Sequence, residues 1–215
     1  MNVLGLVQLT QVAQDYAGYS YCFGIDGLVQ RKRLSSAEQL LALLKSALAA
    51  AVGPADGVAS GIAFRAARAG DLNAIPEVCA VMSSGRVPAE MRLASLQMGQ
   101  HLWEISRHWD WTQSVHEQLD DMARRHDLHH AVAFGTLVSE TTSSQVRAIA
   151  AYLFNVARSI VAAGVRVIPL DETEGQHVLT TVQPTIARLA ASCADKHAGD
   201  IATVPGGTGW WDESV

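Results

Sequence analysis

Cysteine is scarce in this chain: Cys22, Cys79 and Cys193 stand far apart among 215 residues. No Cys-x-x-Cys spacing occurs, so nothing indicates a disulfide framework or a thiolate metal site. The pattern suits buried thiols in a reducing, cytoplasmic setting. The phosphate-binding pattern Gly-x4-Gly-Lys-[Ser/Thr] is also missing. Gly24-Ile25-Asp26-Gly27 and Gly206-Gly207-Thr208-Gly209 do not match it and follow no evident strand. The chain is therefore not expected to hydrolyse a nucleotide itself. No Gly-x-Ser-x-Gly occurs, and the cysteines carry no nucleophile signature. Stretches that alternate apolar with polar residues are few and β-branched runs are short, so strands are not expected.

Charge is sparse as well. Only 17% of residues are charged, and 16 basic against 21 acidic side chains leave a net charge of −5. That balance argues against non-specific binding to nucleic acid or to an anionic membrane. Met1 to Leu6 lacks a basic n-region and runs into Gln8, Thr10, Gln11 and Gln14, so no secretory signal is expected. The best membrane-span candidate, Ala148 to Val165, carries Asn155 and Arg158 near its middle. A charge there is costly in lipid, which favours a buried core helix with Arg158 reaching an edge or a partner.

What is present is helical periodicity, with 49% apolar residues to bury. Ser35-Ser36-Ala37-Glu38 reads as a capping box, followed by Leu40, Leu41, Leu43, Leu44 and Leu48 at helical spacing. Val52-Gly53-Pro54 is expected to end that helix. Pro88 opens another helix that runs to about Arg107, and Thr112 caps the next, which ends in the cations Arg124, Arg125 and His126. A long apolar helix from Ala148 to Arg166 stops at Pro169. An acidic turn, Asp171-Glu172-Thr173-Glu174, then leads to a further helix beginning near Gly175 and Gln176. The expectation is one compact all-α domain of about nine or ten helices over residues 1–204. A glycine-rich tail, 205–215, follows and carries Trp210 and Trp211.

Few residues suggest chemistry. His126, His129 and His130 would share one face of an unbroken helix at metal-ligand spacing, but a helix stop near Asp127 would part them. The acidic turn lacks the alternating spacing of a calcium loop. His101 and His108 lie beside Trp103, Trp109 and Trp111, which suits packing at a surface groove or an interface. No catalytic, cofactor or metal residue is assigned on this reading.

Several segments, in order, resemble the UreF family of urease accessory proteins. Gly18-Tyr19-Ser20-Tyr21-Cys22-Phe23-Gly24-Ile25-Asp26 is similar to its Gly-Phe-Ser-x-Ser-x-Gly-Leu-Glu signature. Leu34 to Leu40 matches the turn and helix start that follow it. Glu90-Met91-Arg92-Leu93-Ala94-Ser95-Leu96-Gln97-Met98-Gly99 is similar to its Glu-x-Arg-x-Ala-Ser-x-Gln-Met-Gly helix. His130-Ala131-Val132-Ala133-Phe134-Gly135 matches His-x-Val-x-Phe-Gly, and Pro169-Leu170 to Gly175-Gln176 matches the closing loop. The chain departs from the pattern at Tyr16-Ala17, where the family has Leu-Pro. It departs again at its end, where Trp210-Trp211 replaces an Arg-Leu-Phe-like tail.

The resemblance implies a cytoplasmic, dimer-forming, all-α chaperone for nickel insertion into urease. Such a protein is not an enzyme and bridges UreD (also called UreH) and the GTPase UreG at apo-urease. It also implies candidate partner or dimer contacts at Tyr19, Ser20, Gly24, Asp26, Arg92, Ser95, Gly99, Arg166, Glu174, Gly175, Gln176, Trp210 and Trp211. Two other readings stay open: a helical metal-binding protein using His126, His129 and His130, and a UreF-like relative serving another client.

Overall fold

A computed structural model describes residues 2–12, 24–85, 89–124 and 128–204. These form nine helices, and no strand occurs among the described residues. In chain order they are α1 (Val3–Val12), α2 (Ile25–Gln30), α3 (Ala37–Ala69), α4 (Ala74–Gly85), α5 (Ala89–Ser106), α6 (Gln113–Arg124), α7 (His130–Val138), α8 (Gln145–Val167) and α9 (Glu172–Cys193). All nine residues of α7 are buried, so it is the axis around which the second half of α3, α5 and α8 pack. Its sequence explains this, because His130-Ala-Val-Ala-Phe-Gly-Thr-Leu-Val offers no polar face to water. Gly135 lets α7 touch α3: a Cβ there would overlap the backbone of Ser60.

Helix α3 corrects two expectations. Its N-cap is Ser36, not Ser35: the Ser36 hydroxyl accepts from the Gln39 amide, and the Gln39 side chain takes the Ser35 amide at 2.8 Å. The box is shifted by one residue because Gln39, not Glu38, faces back over the first turn. Nor does Val52-Gly53-Pro54 end the helix. Residues Leu48–Gly57 widen into a π-helical stretch with Pro54 inside it, and α3 continues to Ala69. Proline has no N–H to give and its ring crowds the preceding turn, which the wider coil relieves. The carbonyls there find tertiary donors. Cys193 Sγ donates to the Gly53 oxygen at 3.3 Å, and the Ala202 amide donates to the Pro54 oxygen at 3.1 Å.

Helices α8 and α9 form an antiparallel hairpin against α3. Gly164 admits Leu40, and Gly175 sits on Val161 and Val165. Ile168 is extended, as a residue before proline should be, and Pro169 follows. The acidic turn is not a loop between helices but the start of α9. Asp171 caps the helix through the Glu174 amide at 2.8 Å, and the Glu174 carboxylate accepts the Asp171 amide at 2.9 Å. At the other end of α9, Arg65 of α3 donates to the Ala194 and Lys196 carbonyls at 2.5 and 2.6 Å, a cation at the negative end of a helix. Two helices, Ala37–Ala69 and Gln145–Val167, are long and apolar enough to cross a membrane, and 83% and 67% of their apolar windows are buried inside the protein.

Candidate interaction surface

Two of the sequence motifs meet at one buried junction. Gly99 of α5 lies on the backbone that enters α7, where a Cβ would overlap the Leu128 carbonyl oxygen and crowd the His130 nitrogen. Beside it, the fully buried imidazole of His129 bridges two helices. Its Nδ1 is 3.0 Å from Ser95 Oγ on α5 and its Nε2 is 2.9 Å from Ser83 Oγ on α4. His130 turns elsewhere and packs on Tyr152 and Phe134, with ring centroids 5.5 and 6.4 Å away. His129 is the N-cap residue of α7 and His130 its first helical residue, so the pair does not converge on one point. His126 lies outside the described residues. Among those described, no three His, Cys, Asp or Glu side chains gather as a metal site.

A second polar cluster joins α5 to α6, and the sequence reading missed it. Asp120 of α6 accepts from Arg107 at 2.6 and 3.0 Å, from Trp103 Nε1 at 3.3 Å and from Arg124 at 3.4 Å. His116 lies beneath, its ring 4.1 Å from that of Trp103, its Nε2 3.0 Å from Ser106 Oγ and its Nδ1 3.8 Å from Asp120. Ser106 Oγ donates to the Trp103 carbonyl at 2.9 Å, so its oxygen accepts from His116 Nε2–H and the neutral ring leaves Nδ1 as a lone pair. Burial, then the charge of Arg107, holds His116 below the usual imidazole range despite Asp120. Burial works against ionised Asp120, yet hydrogen bonds from Trp103 and Arg107 and the charges of Arg107 and Arg124 bring its carboxyl below the usual range. The signal was present in the sequence as His116, Asp120 and Arg124, spaced one helical turn apart. Thr112 does not act as the expected cap: its hydroxyl donates to the Ser106 and Trp109 carbonyls and closes the turn before α6.

The predicted contact residues divide by exposure. Asp26, Arg166, Glu174 and Gln176 are exposed, Gly24 and Arg92 are half-buried, and Ser95, Gly99 and Gly175 are buried in helix junctions. Gly24 has a left-handed backbone, φ 61°, as it turns into α2, where Asp26 stands in the first helical turn. Glu174 is tied into its capping box, while Arg166 and Gln176 flank that turn. Tyr19, Ser20, Trp210 and Trp211 lie outside the described residues. His101 and His108 are both exposed, and Trp109 stacks on Trp111 at 5.2 Å.

The fold is that of an all-α, single-domain protein in which two buried histidines, His129 and His116, each reach a serine hydroxyl of a neighbouring helix. The chain belongs to the UreF family, whose model matches residues 34–183. It is similar to the protein named urease accessory protein UreF of a Nostoc species, 27% identical over 188 residues covering 86% of this chain and 80% of the relative. Proteins of the same name from Azorhizobium caulinodans and Geobacillus kaustophilus are 26% and 22% identical. They align over 86% and 88% of this chain and over 79% and 83% of their own lengths.

Proposed function

We propose that this protein is a urease accessory scaffold of the cytoplasm, a homodimer that joins UreD (UreH) to the GTPase UreG while nickel is delivered to apo-urease. The observation that carries the reading is the family match over residues 34–183, which spans the α5 and α7 motifs meeting at Gly99 and His129. A scaffold of this kind works through shape and surface complementarity, with the binding energy concentrated in a few residues. Asp26, Arg92, Arg166, Glu174 and Gln176 are its contact candidates on the described surface. Tyr19, Ser20, Trp210 and Trp211 are the candidates carried by the sequence alone. Deleting the gene in a urease-positive host should abolish urease activity in nickel-replete medium, and a plasmid copy should restore it. Full urease activity in the deletion strain would give the protein a different client.

A further inference from the structure

Helix α2 ends in a Schellman motif. The Arg33 amide donates to the Leu28 oxygen and the Lys32 amide to the Val29 oxygen, both at 2.9 Å. This geometry puts Lys32 in the left-handed region, φ 58°, at the position that usually belongs to glycine. The end of α3 repeats the motif with the glycine in place. There the Asp71 amide donates to the Ala66 oxygen and the Gly70 amide to the Ala67 oxygen, both at 3.1 Å, and Gly70 has φ 67°. Among the described residues, Lys32 is the one non-glycine residue with a positive φ.

Lysine thus stands at the end of α2 against a backbone preference that glycine would satisfy. What lysine adds is charge. Arg31-Lys32-Arg33 is the one run of three consecutive lysines or arginines in a chain whose net charge is −5. Arg31 and Lys32 are exposed, and among the described residues neither side chain makes an ion pair or a hydrogen bond. Arg33 is half-buried and already engaged. Arg31 lies back along α2, its guanidinium 3.3 Å from where a Cβ on Gly27 would stand. Cations favour a helix C-terminus, but Arg31 already supplies one to this six-residue helix, and with an ordinary backbone, φ −81°. The dipole therefore does not account for Lys32.

We infer that the turn Arg31-Lys32-Arg33 docks an acidic segment of a partner protein, whose carboxylates meet Arg31 and Lys32. Charge decides the occupant. Two copies meeting turn to turn would set cation against cation, which is repulsive. A nucleic acid or an anionic membrane calls for a broader field of cations than one turn provides. A membrane would also need apolar side chains beside the charges, and among the described residues no large exposed one lies between Gly24 and Ala47. The inference rests on the scaffold reading only in taking the ligand to be a protein.

The test uses the full chain and two labelled peptides, one alternating glutamate with serine and the other lysine with serine, read by fluorescence anisotropy. The glutamate peptide should bind, more weakly as salt is added, and the lysine peptide should not. Lys32→Gly should weaken that binding roughly fivefold while raising the melting temperature by about 2 °C, because glycine suits the left-handed turn. Lys32→Arg should keep both binding and melting temperature. Arg31→Glu combined with Lys32→Glu should abolish binding, with circular dichroism unchanged. The opposite response of stability and binding to Lys32→Gly separates docking from a role in the fold. Equal binding of the two peptides, no binding of either, or unchanged binding by Lys32→Gly would overturn the assignment. So would a melting temperature lowered by Lys32→Gly, or binding of anionic vesicles in place of the glutamate peptide. None of these results bears on whether the gene restores urease, so the two readings fail separately.

Discussion

His116 is neutral in the fold for a reason that sets a pH dependence. Its ring is buried against Trp103, and both burial and Arg107 disfavour the charged form. The unfolded chain binds a proton there below about pH 6.5, whereas the folded chain binds it only at lower pH. Over that interval the unfolded state holds more protons, so stability rises with pH and is lost as pH falls below about 6.5. His116→Gln should flatten the change in melting temperature between neutral and mildly acidic buffer, while Asp120 adds its own loss only below the ordinary carboxylate range. An unaltered pH profile in His116→Gln would show that the ring is not the group responsible. Gly99 makes a sharper case. Its Cβ space is occupied by backbone, which cannot swing aside as a side-chain end can. Gly99→Ala should cost about 2 kcal/mol, or roughly 4–8 °C in Tm, measured by thermal melting. The sequence shows such a glycine only as an oddity among bulky neighbours. What it touches, Leu128 to His130, comes from the next motif and becomes visible only when the two helices cross.

At the scale of elements, apolar spacing was enough to place most of the helices, and their ends were the harder part. The boundary before α9 shows why. Asp171 to Glu174 reads as a polar turn, but a capping box is itself acidic and polar, so composition does not tell a loop from a first turn. Asp171→Ala should remove the cap and cost about 1 kcal/mol, some 2–4 °C in Tm. Glu174→Gln should leave stability close to wild type, because an amide oxygen still accepts the Asp171 amide. A large loss from Glu174→Gln would mean that its charge, not its cap, matters. The α3 boundary was hidden for a different reason. Local chemistry says that Pro54 stops a helix, and only Cys193 and Ala202, donors from far along the chain, supply the bonds that let it continue. The α5–α6 cluster was overlooked because its members are ordinary surface residue types whose partners come from two helices.

Across the whole molecule, residues from α1 to α9 enter one continuous core, from Leu9 to Ala194, with α7 wholly inside it. The charges around that core are unevenly placed. Asp110, Glu117, Asp120 and Asp121 lie in and just before α6, while α8 carries arginines alone. The shared core means that no helix pair can leave without exposing the others, so unfolding should be cooperative. Far-ultraviolet circular dichroism should therefore report the same transition as tryptophan fluorescence, in which Trp103 is a buried reporter. Two separate transitions would divide the core. The proposed dimer adds a second expectation. Association that involves only the folded chain stabilises it by mass action, so the melting midpoint should rise with protein concentration. A midpoint independent of concentration, together with a monomer mass in light scattering, would remove the dimer from the proposed function and leave the family fold unaffected.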